Sequence, residues 1–139
     1  VCTRDILIAM TTTTSQNKTV LIIDDDPFIL DMYVLKFKQS GFHIEIARDG
    51  KEGLQKIKEM KPDVVLLDVV MPILDGFEVL QDLNKKNLLG ETRVILLTNL
   101  GQKDDVERGL NLGAKDYVIK AHFTPSEVVE KVKSVLQIQ

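Results

Sequence analysis

Three consecutive aspartates, Asp24-Asp25-Asp26, stand directly after the apolar run Val20-Leu21-Ile22-Ile23, and Asp68 directly follows Val64-Val65-Leu66-Leu67. Thr98 follows Val94-Ile95-Leu96-Leu97 in the same way, and Lys120 follows Tyr117-Val118-Ile119. Carboxylates, a hydroxyl and a lysine, each at the end of an apolar run, are parts for phosphoryl transfer onto a carboxylate. Two carboxylates ~4 Å apart repel by about 1 kcal/mol in water and ~4 kcal/mol at an effective dielectric of about 20. Gathering Asp24, Asp25 and Asp68 therefore calls for positive charge. Lys120 offers one unit and a hard divalent ion the rest, and Mg2+ suits a shallow site of few carboxylates and retained waters.

These residues meet only if the apolar runs are strands of one sheet. The runs ending at Ile23, Leu67 and Leu97 are continuous and rich in β-branched residues, as strands buried on both faces of a parallel sheet are. His43-Ile44-Glu45-Ile46 alternates instead, which predicts a half-exposed edge strand, and Tyr117-Val118-Ile119 is a short fifth strand. Helical patterns lie between them. Asp26 is a plausible N-cap with Pro27 at the first helical position, and Leu30, Tyr33, Val34 and Phe37 form a buried stripe up to Gly41. Leu54 and Ile57 mark a second helix ended by Pro62, while Phe77, Leu80 and Leu83 mark a third, and Val106 with Leu110 a fourth. The last opens with the capping box Thr124-Pro125-Ser126-Glu127 and shows an apolar face of Val128, Val132, Val135 and Leu136. Alternating strands and helices make a doubly wound α/β domain, in which ligands bind outside the carboxyl ends of the strands. With strand order 2-1-3-4-5, the first and third strands are neighbours and their aspartates converge.

The 139 residues suit one domain, and 44% hydrophobic with 28% charged residues excludes disorder and collagen-like repeats. No apolar run approaches the ~20 residues of a membrane span. Eighteen Lys and Arg against 21 Asp and Glu leave a net charge of -3, which gives no global attraction to nucleic acid or an anionic membrane. The single cysteine, Cys2, forms no internal disulfide, which favours a reducing, cytoplasmic setting. Residues 1–18, with the polar stretch Met10-Thr11-Thr12-Thr13-Thr14-Ser15-Gln16-Asn17-Lys18, read as a flexible lead-in. Met10 is a candidate start, with residues 1–9 of foreign or misread origin, and residues 19–139 form the domain.

Taken singly, each site residue has a plainer reading: Asp26 as a helix cap, Asp24 or Asp25 as a turn residue, Thr98 and Lys120 as ordinary strand ends. The joint pattern favours a site, because four strand ends point at one crevice. The quoted motifs together resemble the receiver domain of two-component response regulators, a CheY-like, flavodoxin-like fold. The residues that carry the resemblance are Ile22 to Pro27, Val65 to Pro72 with Asp75-Gly76, Leu96-Leu97-Thr98, and Gly113-Ala114-Lys115-Asp116-Tyr117-Val118-Ile119-Lys120.

The resemblance implies that Asp68 is the phosphoacceptor, fed by a phosphohistidine of a sensor histidine kinase or a phosphotransfer protein. It implies Mg2+ held by Asp25, Asp68 and the backbone carbonyl of Val70, with Asp24 helping through water. Lys120 would contact the phosphoryl oxygens. Thr98 and Tyr117 would form the switch that changes the surface of the fourth helix, fifth strand and fifth helix, where a downstream protein or a second phosphorylated copy docks. Such a domain promotes its own phosphorylation and dephosphorylation and is no conventional enzyme. No direct contact with nucleic acid or membrane is expected. The chain ends just after the fifth helix, which leaves a stand-alone regulator or a receiver excised from a longer protein as open readings.

Two departures from the family stand out. Ala121 follows the lysine where proline is usual, so a trans peptide is expected. Asn99 replaces a small residue after the threonine and narrows access to the acyl phosphate. The resemblance implies that Val70 and Leu100 border the path of a hydrolysing water, and both are apolar, which predicts slow loss of phosphate. His43 and His122 read as surface residues, and Lys56, Lys58 and Lys61 as a solvated helix face. A haloacid-dehalogenase-like phosphatase would need an aspartate where Val70 stands, and a nucleotide-binding module a glycine-rich turn where Asp24-Asp25-Asp26 stands. A pseudo-receiver serving only protein contact is separated by incubation with a phosphodonor and Mg2+.

Overall fold

The computed structural model describes residues 18–71, 74–99 and 103–138. Its elements alternate strictly: β1 (Thr19–Ile23), α1 (Pro27–Gln39), β2 (His43–Ala47), α2 (Gly50–Met60), β3 (Val64–Asp68), α3 (Gly76–Lys85), β4 (Arg93–Thr98), α4 (Lys103–Asn111), β5 (Asp116–Ile119), a 3-10 turn (Lys120–His122) and α5 (Pro125–Leu136). All strand pairs are parallel, in the order β2-β1-β3-β4-β5. The expected doubly wound sheet is therefore present with its five helices. Residues 1–17 of the lead-in, with Cys2 and Met10, and also Pro72 and Leu100, lie outside the described residues.

The apolar blocks work as strands because each serves two cores. Ile22, Leu66, Ile95 and Leu97 face α1 and α5, while Leu21, Ile23, Val65, Leu67 and Leu96 face α2, α3 and α4. β2 is an edge strand with His43 exposed, as its alternation predicts. Local signals place the helix starts: Asp26 caps α1 by accepting from the Phe28 amide, and capping boxes open α3 at Asp75–Glu78 and α5 at Thr124–Glu127. Gly41, at φ 91°, lets the chain turn back after α1.

Three expectations need correction. Leu110 does not face the core; it is 39% exposed, and Gly109 is the buried residue of α4. The bare Cα of Gly109 packs on Leu96, where an added Cβ would collide, so α4 lies closer to the sheet than a leucine face would permit. Lys56 is not a simple solvated lysine, because its Nζ donates to the Ile46 carbonyl at 2.5 Å and lies 3.6 Å from Glu52. Lys120 opens the 3-10 turn rather than ending β5. No cis peptide occurs among the described residues, so the Lys120–Ala121 bond is trans as expected. None of the described helices is long and apolar enough to cross a membrane.

Candidate functional site

The register decides what meets what. β1 and β3 pair from Val20–Val64 to Ile23–Leu67, so the residues just beyond, Asp24 and Asp68, emerge side by side. β4 brings Thr98 opposite Ile119 of β5, and Lys120 follows at once. Asp24, Asp25 and Asp68 each place a carboxylate oxygen within 4.8 Å of the others. Asp24 is fully buried, Asp68 is 4% exposed and Asp25 lies open to solvent. The sequence-predicted set is thus assembled at one rim.

Hydrogen bonds fix the buried pair. Asp24 accepts from the Asp26 amide at 3.0 Å and from Lys120 Nζ at 2.7 Å. Lys120 Nζ also lies 3.3 Å from Asp68 Oδ2, and the other Asp68 oxygen accepts from the Val70 amide at 3.3 Å. One cation therefore bridges two buried carboxylates. Burial, helped by the charge of Asp24, pushes the Asp68 carboxyl up to about 7 despite Lys120 and the Val70 amide. Burial also works against the charged form of Lys120, but the bond to Asp24 and the charges of Asp68 and Asp24 outweigh it and raise its pKa. The phenol of Tyr33 is pushed up to about 12 by burial and by Asp24. The rim is short of positive charge.

Oxygen donors of three carboxylates are the donor set a hard, small divalent ion takes. A partly open mouth, with Asp25 exposed and Val70 70% exposed, leaves room for retained waters. The residues present fit Mg2+.

The loop behind Asp68 depends on Gly76. Its amide donates to the Val69 carbonyl at 3.0 Å, and a Cβ there would fall 2.6 Å from the Asp68 carbonyl oxygen. The start of α3 thus presses directly on the backbone of the candidate phosphoacceptor. Sequence reasoning quotes Asp75-Gly76 as a motif without seeing this contact, which only the fold supplies. Beside the rim, Val69, Leu96, Thr98, Asp105, Val106 and Tyr117 line a narrow recess between β4, β5 and α4. Tyr117 is half-buried there and Thr98 is 8% exposed. Asp105 has no marker in the sequence, since a lone acid on an amphipathic helix reads as solvated. Phe28, Met32 and Leu35 form an exposed apolar stripe along α1 next to Asp25.

A parallel sheet with an acid–lysine rim at its carboxyl end is the architecture of a signalling receiver. Residues 20–133 match the response regulator receiver domain, and the chain belongs to that family. It is 38% identical over 121 residues to the alkaline phosphatase synthesis transcriptional regulatory protein PhoP of Bacillus subtilis, covering 87% of this chain and 49% of PhoP. The DNA-binding dual master transcriptional regulator RpaA of Synechocystis sp. is 36% identical over 118 residues, covering 85% of this chain and 48% of RpaA. The chain spans about half the length of these curated relatives. Among solved structures, the receiver domain of Francisella response regulator 1452 superposes with a TM-score of 0.80 at 36% identity, covering 87% of this chain and 98% of that one. CheY in the CheX–CheY–BeF3–Mg2+ complex from Borrelia burgdorferi gives a TM-score of 0.77 at 33% identity, with coverage of 85% and 88%.

Proposed function

We propose that the chain is a phosphorylation-controlled switch of a two-component system, with Asp68 as phosphoacceptor and residues 19–139 as the receiver behind a lead-in of residues 1–18. The observation that carries this reading is Asp68, buried beside Asp24 and Asp25 with Lys120 Nζ on two of the three. The donor is a phosphohistidine of a sensor histidine kinase or phosphotransfer protein in a cytoplasmic setting. An Asp68 oxygen attacks phosphorus, the O–P bond forms as the P–N bond breaks, and the electron pair returns to the imidazole nitrogen. Asp24, Asp25, Asp68 and the Val70 carbonyl would hold Mg2+. When bound, the ion supplies the charge that keeps Asp68 ionised near neutral pH and offsets charge on the phosphoryl oxygens.

In this reading Lys120 moves its ammonium from the carboxylates onto a phosphoryl oxygen, and Thr98 hydrogen-bonds another. Tyr117, which already lines the adjoining recess, then turns further inward, which alters the α4–β5–α5 surface for a downstream protein or a phosphorylation-dependent homodimer. The stripe of Phe28, Met32 and Leu35 offers the donor protein an apolar landing beside the rim. No step at this rim involves nucleic acid or membrane. A transcriptional output, as the names of PhoP and RpaA suggest, belongs to the same proposal at the level of a longer protein.

Phosphotransfer tests the reading. Incubated with a phosphorylated kinase or phosphotransfer protein and Mg2+, the chain should take label from the donor, and label staying on the donor in every pairing tried would count against it. Mg2+ should also stabilise the unmodified domain by relieving carboxylate repulsion, by ~2.7 kcal/mol at a hundredfold excess over the dissociation constant. Asp25→Ala should remove that metal dependence while the metal-free stability stays level or rises. An equal Mg2+ shift in thermal melts of both proteins would show that Asp25 is no ligand.

Hydrolysis of the acyl phosphate should be slow. Val70 stands at the mouth with an apolar side chain that neither orients nor polarises a water. Replacing it by Asn should add a water-positioning contact worth ~1–1.5 kcal/mol, or roughly tenfold in rate. Decay after donor removal measures this. Wild-type half-lives of seconds, or no acceleration in Val70→Asn, would contradict it.

A further inference from the structure

The end of the sheet opposite the rim carries the reverse charge. Helices antiparallel to the strands deliver the carboxyl ends of α2, α3 and α4 to the amino ends of β3, β4 and β5. There the loops around Gly90–Thr92 separate two open clefts of about 430 and 420 Å3. The first is walled by Lys61 and Asp63, the second by Arg93 and Lys115, and both share Gly90, Glu91 and Thr92. Lys58 lies one turn before Lys61, and Lys85 ends α3 two residues before Asn87 of the first cleft. Lys58, Lys61, Lys85, Arg93 and Lys115 make no salt bridge among the described residues.

The acids nearby do not cancel this. Asp82 pairs with Lys86 at 3.1 Å, while Asp63, whose bond from the Thr19 amide at 2.8 Å leaves its charge intact, stands against Lys61 in the first cleft. Glu91 in the shared wall and Glu59 on α2 are the remaining counter-charges. Lysines in a last helical turn, such as Lys58 and Lys85, are expected from the helix dipole. Arg93 begins β4 and Lys115 stands just before β5, positions where no helix dipole calls for a cation. The net charge of -3 is no objection. β3 spans five residues, about 17 Å, which is roughly two Debye lengths at physiological salt, so the acidic rim is screened from this end.

We propose that this amino-end face binds the phosphate backbone of a nucleic acid without reading its bases. Protein interface cores are built on aromatic and aliphatic anchors and are depleted in lysine, and firm membrane anchoring adds an apolar or lipid group to basic charge. The exposed large hydrophobic residues among those described are Phe28, Met32, Leu35, Val70 and Leu110, and none lines these clefts; the apolar lining is the half-buried Leu88 and Leu89 with Pro62 in the first cleft, and the second has none. Point charges flanking a ridge suit a backbone of regularly spaced phosphates.

The test is fluorescence anisotropy of a short labelled mixed-sequence duplex against the full chain. With about four phosphates neutralised, the log–log salt slope should be near -3.6, a loss of roughly a hundredfold between ~50 and ~200 mM salt. Lys61→Gln/Lys115→Gln, both exposed, should halve the slope and weaken binding at ~50 mM salt more than tenfold. Arg48→Gln/Lys51→Gln, an equal change of net charge at the other end, should leave both unchanged. Absence of binding at low salt, equal losses in the two double variants, or tighter binding of polyglutamate or of phosphatidylserine vesicles than of the duplex would each overturn the proposal.

Discussion

Lys120→Met should cost the metal-free domain about 3–5 kcal/mol, the penalty for stripping the partner from buried charge. Lys120 Nζ is the cation that touches both Asp24 and Asp68, with side chains 0% and 5% exposed respectively. Methionine keeps the stem and removes the ammonium, so two carboxylates face each other where water cannot screen them. Asp68 can escape by taking up a proton, which limits the loss at low pH and makes it largest above pH 7. Adding Asp68→Asn to Lys120→Met should therefore restore more than half of the loss, since one of the repelling charges is gone. Urea unfolding of the single and double variants measures the coupling. A single-variant loss below ~1 kcal/mol, or strictly additive effects, would mean that the bridge is not what balances the site.

Asp68→Asn on its own should remove a pH dependence. The folded chain holds the Asp68 proton up to about pH 7, whereas the unfolded chain releases it near its ordinary value of 3.8. The folded state thus binds more protons between those values, and its stability falls as pH rises through that window. Below pH 3.8 the group contributes no penalty, and above about 7 the penalty is complete and flat. A shift of this size corresponds to on the order of 4 kcal/mol from this carboxyl. Asparagine mimics the protonated form at every pH. In the presence of EDTA, the variant and the wild type should have similar stability near pH 4 and diverge above it, with the variant the more stable at pH 8. Parallel stability curves across this range would show that Asp68 pays no ionisation penalty.

Both results depend on residues whose roles were unequally legible beforehand. β1, β3 and β4 stand out because burial on both faces demands unbroken apolar runs, and the acids that follow them are conspicuous for the same reason. Strand ends such as Thr19, Arg93 and Asp116 are polar and carry no such mark. On α4 a periodicity reading gives weight to Leu110 and none to Gly109, although the glycine makes the close approach to Leu96. Lys120 was legible as a member of the rim, but not as the bridge between Asp24 and Asp68. That bond joins residues 96 apart in sequence, and only the register of five strands sets its length. The amino-end cations were harder still, since lysines after helices look like solvated faces until two loops close clefts around them.

If phosphate goes onto Asp68, chemical mapping should find it there. Borohydride reduces a carboxyl phosphate to the alcohol, so a phosphorylated aspartate is recovered as homoserine. After acetyl phosphate and Mg2+, the wild-type chain should gain one phosphate by intact mass, and peptide sequencing after reduction should find homoserine at position 68. Asp68→Asn should gain no phosphate, because an amide lacks the charge and free oxygen for attack. Homoserine at position 24 or 25 in the wild type, or undiminished phosphate uptake by Asp68→Asn, would contradict the account.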